Sequence, residues 1–501
     1  MSPSDRRRWS RIGLAGVVAA FLGLGALYAA TVPKFLPADE TAHVGYALEV
    51  GHGNLPRLDT AVRDEVPGLA LQFEIRREIY TANHPPLYYL WVAVPLRLGV
   101  WSGHPVLGLE LARLLTVALT AFAAVATWWA ARLVLPRRPE SAVAAAAFTV
   151  LLPAVPRFAG VVYNDGFSLM VAAVALLVSL RLLVQGPSRG RIAALVAAAA
   201  ALTLTRAVGI PAAGLVAGAG VLAVLVHDPR PVGRRLLRAG ALAAVVVVAA
   251  FAASGWFWLR SRHLYGDIAG SAYNLDRFGY GPRGTTTELL PDLHWPVTLA
   301  RQLWGRIYDD AELAVGRWAG PGLLVAALVL AGAACLAVEG VRRRPRPGPE
   351  RWRSWSATER GRALAWLLCT AWVALFYVST IGYIASGGGV HGRYLLPGLP
   401  AAALLAAAAL GALPGRRIAL APAVVVLIMA GTGLVWAARF ADRLRPDASW
   451  WGSALTAIAA SANGVPAVAV WAAVALTLAG TAATAVALPR LARVEAPSAD
   501  D

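Results

Sequence analysis

Charged side chains are scarce in this chain, and lysine and cysteine are nearly absent. Only 15% of the 501 residues are charged and 58% are hydrophobic, and Lys34 is the only lysine. Alanine and arginine dominate, which is typical of a GC-rich, for example actinobacterial, genome. The two cysteines, Cys335 and Cys369, lie in apolar segments without C-x-x-C spacing, which argues against a cysteine metal site or a disulfide framework. The chain also lacks the internal repeat that transporters often carry.

Apolar runs of about 20 residues recur along the whole chain, each long enough to cross a bilayer. Segments such as 239–259 and 466–488 are apolar on all sides, whereas a soluble helix shows one polar face. The sequence therefore predicts an all-α, polytopic helical membrane protein with about 12 transmembrane helices, within a range of 11 to 13.

The net charge of +18 comes from arginines in short segments between the apolar runs. This distribution fits the excess of basic residues in cytoplasmic loops better than a nucleic-acid patch, so no nucleic-acid partner is expected. The basic clusters are Arg6–Arg8 with Arg11, Arg137-Arg138, Arg189/Arg191, residues 230–238, residues 342–362, Arg416-Arg417 and Arg490/Arg493.

Twelve spans place all these clusters on the cytoplasmic side, with both termini inside. The predicted spans are 12–32, 111–135, 140–160, 165–184, 192–207, 208–226, 239–259, 318–340, 363–385, 394–413, 418–438 and 466–488. Arg6–Arg8 and the run after them resemble a secretory signal, but the run is long and further spans follow, so we expect a retained first helix.

Residues 85–101 are apolar enough to form a thirteenth span. They start with Pro85-Pro86 and contain Pro95 and Arg97, and Trp and Tyr favour the membrane interface. We expect an interfacial helix here, because a crossing would move every later basic loop outside.

The predicted organisation is therefore a cytoplasmic N-terminus (1–11), a transmembrane domain (12–488) and a cytoplasmic tail (489–501). Within the domain we expect a long first outer loop (33–110), a second long outer loop (260–317) and a basic cytoplasmic loop (342–362). On this topology, polar residues from separate regions converge on one outer face of the membrane. They include Asp39, Glu40, His43, His84, Arg113, Asn164, Asp165, Arg206, Arg260, Asp267, His391 and Arg393.

Asp39, Glu40 and His43 directly follow the first apolar run. A carboxylate at the bilayer surface can act as a general base, and His43 shares a helical face with both acids. Asp39 is equally compatible with the N-cap of a short helix after Pro37.

Two further motifs open helices on the same side. In Asn83-His84-Pro85-Pro86-Leu87-Tyr88-Tyr89 the double proline starts a helix and holds His84 ahead of it. Asn164-Asp165 opens another span, where an N-cap is the simpler interpretation. We predict that His84, Asn164, Asp165 and His391 contact substrate, and that the glycine run 387–389 before His391 is mobile.

Arg113, Arg206 and Arg393-Tyr394 lie at the outer ends of spans. Such arginines can simply extend to the headgroups. Guanidinium also matches phosphate oxygens with two hydrogen bonds, so we predict that at least one of these arginines binds a phosphate, with Arg393 and the adjacent Tyr394 as the first choice.

The chain resembles the GT-C superfamily of integral-membrane glycosyltransferases, which includes protein O-mannosyltransferases and aminoarabinose transferases. Asp39-Glu40 is similar to their acidic pair after helix one, His84-Pro85-Pro86-Leu87 to their HPPL segment, and Arg113 to the arginine of their second span. A bacterial branch of unassigned function is most similar, through Pro37–Ala47, His84–Tyr89, Asn164-Asp165, Tyr265-Gly266-Asp267 and Gly392–Pro397. Arg206 stands where this branch would carry lysine.

The resemblance implies inverting transfer of a sugar from a polyprenyl-phosphate donor to a glycan, lipid or protein acceptor of the cell envelope. The reaction would take place at the outer face of the cytoplasmic membrane, among membrane lipids. Asp39 would be the base, and Glu40 and His43 would orient it or the acceptor. No metal site and no cofactor is required by the residue spacing, although a divalent cation is compatible with the carboxylates. A lipid-linked sugar transporter and a polysaccharide polymerase or ligase remain the alternatives.

Overall fold

A computed structural model of the chain describes residues 2–35, 38–69, 78–304, 319–342, 354–413, 420–442 and 464–492. These residues form helices and connecting segments without a β-strand, apart from one isolated bridge between Ala61 and Glu78. The prediction of an all-helical polytopic protein is confirmed. The helices, numbered in chain order, are α1 (Pro3–Thr31), α2 (Ala38–Gly51), α3 (Leu87–Trp101), α4 (Pro105–Val134), α5 (Pro139–Leu151), α6 (Ala154–Ala159), α7 (Asn164–Gln185), α8 (Arg189–Thr203), α9 (Gly209–His227), α10 (Val232–Tyr265), α11 (Ser271–Arg277), α12 (Thr286–Leu289), α13 (His294–Trp304), α14 (Ala319–Arg342), α15 (Ala357–Ala385), a 3₁₀ helix (Gly392–Gly398), α16 (Leu399–Gly411), α17 (Ala421–Asp442) and α18 (Ala467–Ala492).

Ten segments within the described residues are long and apolar enough to cross a membrane. Two of the twelve predicted spans differ from these. The span predicted at 140–160 is divided at Leu152-Pro153 into α5 and α6, because proline interrupts the backbone hydrogen bonding of a helix. The span predicted at 192–207 is the 15-residue helix α8.

The predicted loop bounds also shift. Helix α10 continues to Tyr265 and is followed by Gly266 with a left-handed backbone (φ 83°), so the segment predicted as the second outer loop starts there and not at residue 260. Helix α4 begins at Pro105, inside the loop predicted to reach 110, and α18 continues to Ala492, into the predicted tail. Most of the tail, and residues 343–353 of the basic loop, lie outside the described residues.

Residues 87–101 form a 15-residue helix, α3, that starts directly after the double proline as predicted. Leu90, Trp91, Val94, Leu98 and Trp101 are exposed on one face of it. The opposite face packs against α4, where Gly99 and Gly108 meet so closely that a Cβ on Gly99 would lie 2.6 Å from the Gly108 Cα. Whether α3 lies in the interface or crosses the bilayer stays a prediction.

The two segments that were predicted as outer loops contact each other. Asn83 donates to the Ala269 carbonyl (3.0 Å), and Asn274 donates to the Tyr80 carbonyl (3.0 Å). The Leu58 amide donates to the Tyr265 hydroxyl at 3.0 Å. These contacts join the segment before α3 to the segment after α10, and both border the site described next.

Candidate active site

Asp39 and Glu40 lie in the first turn of α2, where the positive end of the helix dipole favours carboxylates. Adjacent residues in an α-helix point about 100° apart. The pair therefore separates: Glu40 points into the bundle and is fully buried, whereas the Asp39 side chain remains 21% exposed. Since α2 begins at Ala38, Asp39 lies one residue inside the helix and is not its N-cap.

Glu40 forms a closed network with Arg113 of α4. Its carboxylate accepts from the Arg113 Nε (2.8 Å) and Nη2 (2.6 Å), and from the amides of Phe35 and Val162 (both 3.0 Å). The remaining Arg113 nitrogen, Nη1, donates to the carbonyls of Ala29 and Val32. Every nitrogen of this fully buried guanidinium thus donates to a protein group. The network joins α1, α2, α4 and the residues just before α7. Arg113 has no nitrogen left for the predicted phosphate, so that prediction now concerns Arg206 and Arg393.

Asp39 contacts three partners from distant parts of the chain. Arg393 Nη2 donates to its Oδ2, and the Tyr80 hydroxyl donates to its Oδ1 at 2.8 Å. Its backbone amide donates to the Tyr163 hydroxyl at 3.0 Å. The backbone just before it is strained, because Phe35 has a φ of 60°, a left-handed value that is rare for a bulky residue and common near functional sites.

Asp165 is fully buried in the first turn of α7, where Tyr163 and not Asn164 or Asp165 is the N-cap residue. Its Oδ1 lies 2.8 Å from the Arg206 Nη1, and its Oδ2 lies 3.6 Å from the Arg393 Nη1. Arg206 comes from the turn between α8 and α9, and Arg393 from the 3₁₀ helix. Two guanidinium groups are thereby held on either side of one carboxylate.

Several buried polar atoms of this cluster have no hydrogen-bond partner within the described part of the chain. They are both side-chain atoms of Asn164, the Nε of Arg206, and the Nε and Nη1 of Arg393; the Asp165 oxygens contact the two arginines as ion pairs only. All four residues are less than 10% exposed. Buried polar groups in native proteins are normally paired, so a cluster of unpaired donors and acceptors indicates a place for a polar ligand.

His43 and His84 lie beside Asp39 but do not hydrogen-bond to it. His43 Nδ1 is 2.8 Å from the Tyr89 hydroxyl, and its ring is stacked on that of His84 with centroids 6.2 Å apart. The His43 ring also lies 5.0 Å from that of Tyr163. His43 lies one helical turn after Asp39 in α2, as predicted, and its hydrogen-bond partner is Tyr89 of the HPPLYY motif.

Tyr394 and His391 lie next to Arg393 on the side of the 3₁₀ helix. The Arg393 guanidinium carbon is 5.1 Å from the Tyr163 ring and 5.6 Å from the Tyr394 ring, and Tyr394 meets His391 edge to face at 5.4 Å. The loop before them is anchored at both ends. Gln302 of α13 donates to the Val390 carbonyl (2.8 Å) and accepts from the Gly392 amide (2.5 Å), and Arg283 donates to the Gly388 carbonyl. Mobility of this loop stays a prediction.

Four titratable side chains of the site lie outside the predicted spans, and their surroundings determine their charge. Burial raises the pKa of Asp39, but the charge of Arg393, the nearby His43 and the hydrogen bonds from Arg393 and Tyr80 together hold it below its ordinary value. Burial lowers the pKa of His43 to about 3 and that of His391 to about 4, and it lowers the pKa of His84 well below its usual range. Near pH 7 Asp39 is therefore ionised and the three histidines are neutral.

The residues that are described contain no group of three or more His, Cys, Asp or Glu side chains placed to hold a metal ion. The three carboxylates of the site are those of Asp39, Glu40 and Asp165, and each of them contacts an arginine. A divalent cation therefore stays an untested prediction.

Two site residues were not predicted from the sequence, Tyr80 and Tyr163. Each is separated from Asp39 by many residues, 41 for Tyr80 and 124 for Tyr163. The sequence offered one indication of their role, which is that each lies next to a predicted site motif. Tyr163 directly precedes Asn164-Asp165, and Tyr80 lies just before Asn83-His84.

No protein-family model matches the chain, and no curated protein matches it significantly. The chain is similar to two solved structures of ArnT from Cupriavidus metallidurans. The one bound to undecaprenyl phosphate has 19% identity and a TM-score of 0.46, covering 96% of this chain and 77% of that one. The second, described as the apo state, has 20% identity and a TM-score of 0.45, covering 95% and 76%. At this level of identity and TM-score the likeness says nothing about donor, acceptor or catalytic residues.

Proposed function

We propose that this chain is an inverting glycosyltransferase that moves a sugar from a polyprenyl-phosphate donor to a cell-envelope acceptor at the outer face of the cytoplasmic membrane. The observation that carries the proposal is the contact between Asp39 and Arg393. It joins a carboxylate that can take a proton to a guanidinium that can hold a phosphate.

The arginine pair suits the donor phosphate. Arg206 and Arg393 both contact Asp165. The Nε of Arg206 and the Nε and Nη1 of Arg393 have no hydrogen-bond partner within the described residues, so they can donate to phosphate oxygens. A buried pair of cations stabilises the charge that develops on the departing phosphate, so no separate general acid is required.

Asp39 is the residue placed to act as base. An acceptor hydroxyl would give its proton to the Asp39 carboxylate while its oxygen forms a bond to the anomeric carbon. The bond between that carbon and the phosphate oxygen breaks, and polyprenyl phosphate leaves with the electron pair. Attack from the side opposite the phosphate inverts the anomeric configuration.

A donor with different radiolabels on sugar and phosphate tests this function. The purified protein is reconstituted in liposomes, supplied with the polyprenyl-phosphate sugar that accumulates in a deletion strain, and given the envelope fraction of that strain as acceptor. Transfer separates the two labels and leaves phosphate on the lipid. A transporter would move both labels across the bilayer together, and that result would refute the proposal.

A further inference from the structure

The two carboxylate oxygens of Asp39 have different partners. Oδ2 accepts from the Arg393 guanidinium, whereas Oδ1 accepts from the Tyr80 hydroxyl at 2.8 Å. The Asp39 amide donates to the Tyr163 hydroxyl (3.0 Å), so the backbone is held separately from the side chain. The two oxygens therefore occupy different environments.

This difference matters if Arg393 holds the donor phosphate, which is the step of the proposed function on which the inference rests. A phosphate oxygen would compete with Oδ2 for the same Nη2 group. When Arg393 turns to the phosphate, Oδ2 regains a lone pair that can accept a proton. Oδ1 is unaffected by that exchange, because its partner comes from another part of the chain.

Tyr80 is itself anchored away from Arg393. Its carbonyl accepts from the Asn274 side chain of α11 (3.0 Å), and its ring meets Phe278 edge to face at 5.4 Å. The neighbouring Glu78 forms an ion pair with Arg277 of the same helix. The contacts with Asn274 and Phe278 therefore hold Tyr80 independently of Arg393. The Tyr80 hydroxyl can keep the Asp39 carboxylate in place when Arg393 turns from Asp39 to the phosphate.

We propose that Tyr80 is a positioning residue for the catalytic carboxylate, holding Oδ1 of Asp39 while Oδ2, released by Arg393, takes the proton of the acceptor hydroxyl. The electron pair of that O–H bond forms the new bond to the anomeric carbon. The electron pair of the broken bond leaves on the polyprenyl phosphate, so the step needs no further reactant.

Steady-state kinetics of Tyr80→Phe test this role, with the accumulated donor and envelope fraction as substrates. The variant keeps the ring and loses only the hydroxyl. We expect kcat to fall about 10- to 150-fold, as for the loss of a hydrogen bond to a charged group, with the KM for the donor close to that of the parent. The acid limb of the kcat profile should move to higher pH, because the lost bond favoured the ionised carboxylate. The other titratable and charged groups around Asp39, which both proteins share, are His43, His84, Tyr163, Tyr383, His391, Arg393 and Tyr394.

Two further variants complete the test. Tyr273→Phe removes a hydroxyl of α11 that accepts from Arg277 (3.1 Å), and this variant should behave like the parent. Asn274→Ala removes the hydrogen bond from the Asn274 side chain to the Tyr80 carbonyl. It should lower kcat and shift the acid limb in the same direction as Tyr80→Phe, but less, and it provides a test if Tyr80→Phe folds poorly. A parent kcat, or a lower kcat with an unmoved acid limb in both variants, would overturn the positioning role. Absence of transfer by the parent protein would refute the proposed function instead.

Discussion

Glu40 and Arg113 form a bidentate ion pair at 2.6 and 2.8 Å in which neither side chain is exposed to solvent. Removing one partner leaves an uncompensated buried charge, which costs about 3–5 kcal/mol. We therefore expect Arg113→Ala to lower the Tm of the detergent-solubilised protein strongly. Arg57→Ala is the matched control, because the Arg57–Asp59 pair is about half exposed and contributes little. Equal Tm values for the two variants would contradict the structural role of the Glu40–Arg113 pair.

Arg393 is predicted to bind the donor phosphate together with Arg206. Arg393→Lys keeps the charge but loses the planar fork, and Arg393→Ala loses both, so affinity should fall in that order. A hydrogen bond to a charged group contributes about 1.5–3 kcal/mol, which corresponds to about 10- to 150-fold in Kd. Titration with the polyprenyl-phosphate sugar measures this, and Arg301→Ala on the exposed face of α13 is the control. Parent-like binding by the alanine variants of both Arg206 and Arg393 would exclude a donor site here.

The buried histidines predict that stability decreases in acid. The unfolded chain takes up protons on these side chains below about pH 6.5, whereas burial lowers the pKa of His43 to about 3 and that of His391 to about 4 in the folded protein. The free energy of unfolding should therefore fall as the pH decreases from about 6.5 to 4, by up to about 1.4 kcal/mol per pH unit for each such histidine. His391→Gln should make the Tm less dependent on pH in this window, and the exposed His294→Gln should not. An unchanged slope in His391→Gln would contradict the neutral buried state.

The topology prediction is tested by single cysteines in a protein without Cys335 and Cys369. If α3 does not cross the membrane, a cysteine at Ser102 should react with an impermeant reagent added to intact cells. One at Ser354 should react only after permeabilisation. The reverse pattern would show that α3 is a span and that the basic segments face outward.

Hydrophobic run length and arginine distribution were sufficient to predict the helical membrane fold and the convergence of polar residues at one end of the bundle. The length of the apolar run did not predict the helix ends at 140–160 and 192–207, because a proline or a turn within each run ends the helix early. Leu152-Pro153 interrupts the first of these predicted spans, and the second ends in the turn that carries Arg206.

The separation of Asp39 from Glu40 could be expected in part, since neighbours on a helix point in different directions. Which of the two would be buried depended on Arg113, 73 residues further along. The cap interpretations of Asp39 and Asn164-Asp165 were wrong, because α2 already begins at Ala38 and the N-cap residue of α7 is Tyr163. The Tyr80–Asp39 contact depends on how the segment before α3 packs against α2 and α11, and the periodicity of a single sequence does not predict such packing.

Asp39→Asn tests the central claim most directly. The substitution preserves size and most hydrogen bonding but removes the basic carboxylate, and a general base contributes about 10²- to 10⁴-fold to the rate. The labelled polyprenyl-phosphate sugar is supplied to the parent, to Asp39→Asn and to the exposed control Asp59→Asn, and both donor binding and sugar transfer are measured. We expect Asp39→Asn to bind the donor yet transfer sugar at least about 100-fold more slowly, while Asp59→Asn matches the parent. Transfer by Asp39→Asn at a rate near that of the parent would show that Asp39 is not the base.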